Sequence, residues 1–216
     1  MQIGCGILAV WNDCRPGEED AYERWYLGEH LPERLSIPGF RWGRRYRRLA
    51  GVSPTLPEYM TYYEVDTPDV LTSDAYLARV NDPTPETHRI MTDVFLNMNR
   101  TICRRSGSAG YVRTTFTVAV VAMGEVSAGD TDTLEPPLET LWQETWQNAE
   151  PEALVTSAEE RLRGKDSKIS GALLRDFPTA AEAMLAAEAL SGRDGVLVAA
   201  YQLTGSLNAA DLSMGR

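Results

Sequence analysis

The 216-residue chain is poor in the side chains from which most catalytic and metal-binding motifs are built: it has two histidines and three cysteines. The cysteines (Cys5, Cys14 and Cys103) are odd in number and show no CxxC spacing. They indicate neither a disulfide framework nor a thiolate metal site, and a reduced, cytoplasmic setting is the expected one. No apolar run approaches the roughly 20 residues that a membrane-spanning helix needs. The first residues, MQIGCGILAVWNDC, lack a basic region and a small-residue cleavage site and read as a first strand. There is no GxGxxG, Walker loop, HExxH, GxSxG or metal-spaced His/Cys cluster, so the expectation is no cofactor and no metal. The net charge of −10 and pI near 4.8 argue against a nucleic-acid surface.

The charge is unevenly spread. Residues 1–113 carry 14 Arg against 15 Asp and Glu, whereas residues 114–216 carry 7 Lys and Arg against 16 acids. Both lysines, Lys165 and Lys168, fall in the second part. The first part thus uses only arginine, the better fork for carboxylate or phosphate groups.

The order of elements repeats. Ile3 to Trp11 reads as a buried strand. A helix follows from about Glu18 to Leu27 and stops at Gly28, with Tyr22, Trp25 and Tyr26 on one face. Pro32 opens a short helix, and Pro38-Gly39 launches a strand from Phe40 to Leu49. Glu58 to Asp66 is the next strand and Pro68 to Val80 a helix. Thr84 caps a further helix with an apolar stripe of Ile90, Met91, Val94, Phe95 and Met98, and Thr101 to Arg105 begins a fourth strand. The second part gives a strand (Thr115 to Met123), a helix (Leu138 to Asn148), two strands (Ala153 to Leu162 and Lys168 to Phe177), a helix (Thr179 to Leu190) and a last strand (Val196 to Leu203). A βαββαβ unit leaves one sheet face open, and two such units can close on each other into a barrel. The expected division is residues 1–113 and 114–205, with a loose tail over 206–216.

Candidate chemistry concentrates in the first unit. His30 sits between a helix end and Pro32, where a helix N-terminus keeps an imidazole neutral and fit for general acid–base work. Asp13, at the end of the first strand, is a candidate to orient it. His88 falls in the first turn of a surface helix and reads as structural. Of the arginines on the second strand, Arg44 and Arg48 point one way and Arg41, Arg45 and Arg47 the other. Some of them approach the barrel interior or mouth, where a guanidinium can hold an anionic group. Pairing with Glu58, Glu64 or Asp66 is the alternative. Tyr46, Tyr62 and Tyr63 can hydrogen-bond a ligand or simply fill a core.

The segments WND, WYLGEHLPERLSIPGF, RWGRRYRRL, PEYMTYYEVD and FLNMNR together resemble the EthD-like part of the dimeric α+β barrel superfamily, over about the first 105 residues. The resemblance implies an α+β fold in which two tandem ferredoxin-like βαββαβ repeats close into a barrel, the second repeat being degenerate. It implies activity on small aromatic, polyketide or xenobiotic metabolites. It also implies roles for His30 as acid or base and for Trp25, the pair Arg45 and Tyr46, and the pair Tyr63 and Glu64 at the site. The expectation is therefore a cofactor-independent lyase or isomerase that moves a proton on a small carbonyl-bearing aromatic or cyclic substrate. In it His30 shuttles the proton, Asp13 or Glu64 assists, and Arg45 and Tyr46 hold a carboxylate or enolate, with Trp25 and Tyr63 lining the substrate. A non-catalytic barrel for an apolar or anionic small molecule, and a haem-binding barrel with His30 as axial ligand, are the alternatives. No nucleic-acid or membrane partner is expected, and the chain is a monomer or a homodimer.

Overall fold

The computed structural model describes residues 4–50, 56–123, 141–152 and 156–212. Eight strands form a closed barrel: β1 (Gly6–Cys14), β2 (Phe40–Arg48), β3 (Tyr59–Val65), β4 (Phe95–Gly110), β5 (Phe116–Ala122), β6 (Trp142–Asn148), β7 (Gly171–Phe177) and β8 (Val196–Asn208). Around the barrel they run β1-β3-β2-β8-β5-β7-β6-β4, and every neighbouring pair is antiparallel. The first four strands thus lie in the order β4-β1-β3-β2 and the last four in the order β8-β5-β7-β6. The registers also correspond. In the first four, Glu64 of β3 faces Ile7 and Trp42. In the last four, Asp176 of β7 faces Thr117 and Trp142. The pairs β2–β8 and β4–β6 close the ring, which removes the open sheet edges through which strands of another chain would pair.

The pleat sorts the side chains. On β3, Met60 and Tyr62 pack inside the barrel, while Tyr59, Tyr63 and Val65 face the helices. The interior is filled: Trp11 and Trp146 lie 6.3 Å apart, Tyr62 is 5.0 Å from Trp146, and Tyr46 stacks on Tyr62 at 6.0 Å. A second core lies between the first half-sheet and its helices, around Leu8, Val10, Tyr22, Trp25 and Ile102. A third pairs Val118, Leu173 and Val198 with Ala183 and Ala187 of the helix Ala180–Leu190. Each fully buried large apolar side chain in these cores contributes about 1.5–3 kcal/mol.

Several expected elements are corrected. The first helix does not stop at Gly28. Glu19–Trp25 continues through a π turn, Tyr26–His30, into Leu31–Leu35. The helix from Thr84 ends at Val94, and Phe95 and Met98 belong to β4. Residues Trp142–Asn148 form a strand, because β4 and β7 supply hydrogen-bonding edges on both sides. The strand expected over Ala153 to Leu162 is instead a helix, Ala158–Arg163, capped by the Ser157 hydroxyl; residues 153–155 lie outside the described residues, as do Leu138 and its neighbours. The tail expected to be loose from residue 206 continues as β8 to Asn208, paired with β2, and then forms a short helix, Ala209–Leu212. Among the described residues no helix is long and apolar enough to cross a membrane.

Candidate active site

His30 ends the π turn of the first long helix, and such turns are frequent at functional sites because they push one residue out of the regular helical position. Its side chain enters a small cavity between the outer face of the first half-sheet and the helices. Trp25 lies against the imidazole with ring centres 4.5 Å apart, and Tyr26 meets it edge-on at 5.1 Å. The helix is latched in place one turn away: Trp25 Nε1 donates to Thr87 Oγ1 at 3.3 Å, and the hydroxyls of Thr84 and Thr87 both donate to Glu29. Gly43 on β2 faces Leu31 and Leu35, and even a methyl group there would meet Leu31 Cδ1 at 2.5 Å, so glycine permits this close approach of helix to sheet.

The cavity beside His30 measures about 30 Å³, and its other lining residues include Tyr26, Tyr63, Arg34, Arg100, Glu159 and Arg163. His30 is 6% exposed, and its Nδ1 is buried with no hydrogen-bond partner among the described residues. Burial, reinforced by the guanidinium groups of Arg34, Arg45, Arg163 and Arg79, holds its pKa well below the ordinary imidazole value. The ring is therefore neutral at pH 7, with Nδ1 available. Burial also raises the Tyr63 phenol far above its usual range, with Tyr26 adding to it, so Tyr63 stays protonated; its hydroxyl lies 3.2 Å from that of Tyr26. Arg34 is 2% exposed and is ion-paired with Glu33 at 2.9 Å and with Glu159. Arg163 pairs with Asp166 at 2.7 Å. Arg100 contacts the Tyr76 hydroxyl at 2.6 Å and is in no ion pair among the described residues. The site thus holds a neutral base, a Tyr63 phenol kept protonated by burial, and the Arg100 guanidinium, which is in no ion pair among the described residues.

The candidate residues divide into groups. His30, Trp25 and Tyr63 come together in one core. Arg45 lies on the same side of the sheet but is committed elsewhere. It is fully buried, paired with Glu23 at 2.5 Å and Thr61 at 3.1 Å, with its guanidinium 3.8 Å from the Tyr26 ring centre. Tyr46 and Glu64 point into the barrel instead. Tyr46 is 1% exposed and stacked on Tyr62, while Glu64 accepts from the Gly4 amide and from Arg105, each at 2.9 Å. Asp13 accepts from the Glu58 amide at 2.6 Å and from Asn97 Nδ2 at 2.8 Å. Neither Asp13 nor Glu64 lines the His30 cavity, and Arg45 and Tyr46 do not converge on one ligand. The reason is the pleat: adjacent residues of a strand face opposite sides of the sheet. Arg41 and Arg47 pair with Asp66 and Glu58, as the alternative reading had it.

Sequence reading missed Arg34, Arg100, Glu159 and Arg163. The last two come from the helix Ala158–Arg163 of the second half, mistaken for a strand; Ser157 followed by Glu159 and Glu160, with Arg161 and Arg163 one turn later, was its helical signature.

No protein-family model and no curated protein sequence matches the chain. Solved structures do. A protein described as anthrone oxidase-like superposes with a TM-score of 0.61 at 7% identity, covering 96% of this chain and 94% of its own. A monooxygenase-like protein of Fusobacterium nucleatum gives 0.51 at 10% identity, covering 96% of each chain. The fold is that of the α+β barrels. The neighbours belong to the dimeric α+β barrel superfamily, and at these identities the likeness speaks for architecture alone.

The haem alternative places a porphyrin beside His30. A cavity of about 30 Å³ at His30 holds one water-sized group, whereas cofactor sites occupy roughly 300–1,000 Å³. The residues around His30 do not fit a porphyrin. Among the described residues no group of His, Cys, Asp and Glu is placed to hold a metal ion.

Proposed function

We propose that the protein is a proton-transfer enzyme of small-molecule metabolism, acting without a cofactor on a carbonyl-bearing cyclic or aromatic compound as a lyase or isomerase. The observation that carries this reading is the His30 imidazole: buried, neutral, and with Nδ1 unpartnered among the described residues, beside a cavity bordered by cationic groups. His30 takes a proton from the carbon next to the substrate carbonyl. Arg100, in no ion pair among the described residues, holds the oxygen of the resulting enolate, and the Tyr63 phenol returns a proton at the new position. Arg34 and Arg163 are engaged with acids and set the local potential. Trp25 fixes the imidazole plane. A substrate ring is larger than the cavity and enters only if Met91, Met98 and Phe95, which line it, turn aside; the two methionines are unbranched and adaptable.

The matched registers of the two halves support reading the chain as two fused ferredoxin-like units, with 1–113 as the first and the rest as the second. On that reading the second half has kept the architecture while losing a site of its own. It lends Glu159 and Arg163 to the site of the first. The closed ring supports a chain that completes the barrel alone, and the three free cysteines accord with a reducing, cytoplasmic setting.

The test is proton exchange. A panel of cyclic ketones and aromatic hydroxyketones is incubated with the protein in D₂O, and loss of the proton α to the carbonyl is followed by NMR. Exchange by the wild-type chain that drops about 10²-fold or more in His30→Ala is the expected result. Equal exchange by a folded His30→Ala protein would sink the mechanism, and binding without exchange would favour a carrier.

A further inference from the structure

A second cavity, of about 320 Å³, opens at one end of the barrel and is lined by Phe40, Trp42, Arg44, Glu64, Arg113 and Trp142 among others. It lies at the barrel's rim, where Trp42, Arg44 and Glu64 of the inner face of β2 and β3 meet Phe40 and the short helix Ala209–Leu212, and the proposed proton transfer makes no use of it. Its volume falls in the range of small-molecule sites, roughly 300–1,000 Å³.

The charged groups beneath it are mostly committed to each other. Glu64 pairs with Arg105 at 2.9 Å, Arg105 with Glu144 at 2.8 Å, Glu144 with Arg113 at 2.9 Å, and Arg113 with Asp176 at 3.1 Å. Two donors stand apart from that network among the described residues. Arg44 is in no ion pair among the described residues; its guanidinium lies 4.9 Å from the Trp42 ring centre and makes one long contact, 3.4 Å, to the Tyr62 hydroxyl. The indole Nε1 of Trp142 is buried with no acceptor among the described residues. A buried donor left without an acceptor is destabilising, and an incoming acceptor recovers that loss. Since both groups are donors, the ligand has to bring acceptors. The aromatic walls select a flat body, and a guanidinium fork matches a carboxylate in two parallel bonds.

We propose that this barrel-end pocket is a second binding site, one that takes a small aromatic carboxylate. The carboxylate sits on Arg44, the Trp142 N–H supplies a further donor, and the ring lies against the indoles of Trp42 and Trp142. Each half of the chain contributes one of these tryptophans, at the matching register positions opposite Glu64 and Asp176. The ladder carboxyls are held by Arg105 and Arg113, which leaves Arg44 to meet an anion.

The test is calorimetric titration of the intact protein with benzoate and 2-naphthoate, with benzamide as the uncharged control. The carboxylates bind, benzamide binds about tenfold more weakly or less, and Arg44→Gln weakens the carboxylates about tenfold. Trp142→Phe, which keeps the ring and removes the donor, weakens them severalfold. Carboxylate affinity is unchanged in His30→Ala, and the proton exchange assigned to His30 is unchanged in Arg44→Gln, so the two sites fail or stand separately. The proposal is overturned if neither carboxylate binds, if benzamide matches them, if a folded Arg44→Gln protein binds as the wild type does, or if binding disappears in His30→Ala. Should Arg44→Gln not fold, Arg44→Lys keeps the charge and removes the fork; undiminished affinity in that variant overturns the proposal equally.

Discussion

Arg45 and Tyr46 are neighbours in sequence and lie on opposite sides of β2. The Arg45 guanidinium is 3.8 Å from the ring centre of Tyr26 under the helices, while Tyr46 stacks on Tyr62 at 6.0 Å inside the barrel. This relationship divides the molecule into two chemical spaces separated by one sheet. His30, Tyr63 and Arg45 belong to the outer space. Tyr46, Arg44 and Glu64 belong to the inner one.

Arg45 is a structural residue on this geometry. Its guanidinium is enclosed by Tyr22, Tyr26 and Tyr59 and paired with Glu23, which is itself only 23% exposed. Arg45→Gln keeps much of the volume but leaves Glu23 without its cation and removes three cation–π contacts. The expected cost is about 3 kcal/mol in urea unfolding at pH 7. A loss below about 0.5 kcal/mol would show that this cluster is not holding the helix to the sheet.

His30 links stability to pH. Its pKa in the folded chain lies well below the unfolded imidazole value near 6.5, because burial disfavours the charged ring and four arginines repel it. The unfolded chain therefore binds the extra proton first as pH falls. Stability from the neutral His30 is present above about pH 6.5 and is lost as the pH drops toward the folded-state pKa. Thermal melts of wild type and His30→Gln at pH 7 and pH 5 check this: the wild type loses more on acidification than the variant. Parallel losses would mean that the imidazole is already charged, or already solvated, in the native chain.

How far the sequence disclosed all this depends on the element. The face formed by Tyr22, Trp25 and Tyr26, the cap at Thr84 and the run of β3 were legible because their periods are clean and their neighbours are local. The continuation of the first helix past Gly28 was not, since glycine usually ends a helix; here it is carried through a π turn, with open space where a side chain would stand. Residues 142–148 were misread because Leu138, Leu141, Trp142 and Trp146 have helical spacing. The period-two set Trp142, Glu144 and Trp146 was hidden by a glutamate at its centre, which is buried only because Arg105 and Arg113 meet it there. Those partners lie 39 and 31 residues away, and no local pattern announces them.

Glu144 therefore yields a prediction of its own. Burial alone would raise its pKa, but Arg113 and Arg105 outweigh that and bring it down to about 2. The unfolded carboxyl titrates near 4.3, so its contribution is complete above that value and is lost as pH falls toward 2. Glu144→Gln leaves two guanidinium groups underpaired in the barrel and should cost about 3 kcal/mol at pH 7. The gap between variant and wild type should narrow between pH 4 and pH 2. A gap that holds constant over that interval would mean that Glu144 acts by shape and not by charge.

The contact between Arg34 and Glu159 separates folding from chemistry. It joins the helix that carries His30 to a helix of the second half, across 125 residues, and both side chains are buried. Arg34→Met strands the Glu159 carboxylate; breaking such a pair costs about 3–5 kcal/mol, whereas replacing both partners with apolar groups is often neutral. Arg34→Met combined with Glu159→Leu should therefore recover most of the stability lost in Arg34→Met, by denaturant melts of all three variants against wild type. It should not recover the potential around His30, since Arg34 is the leading charge that depresses its pKa. In the double variant the imidazole pKa, followed by NMR, rises toward 6.5, and the acid limb of the exchange activity moves up with it. A double variant that regains stability and keeps the wild-type pH profile would show that Arg34 holds the two halves together and does nothing for the base.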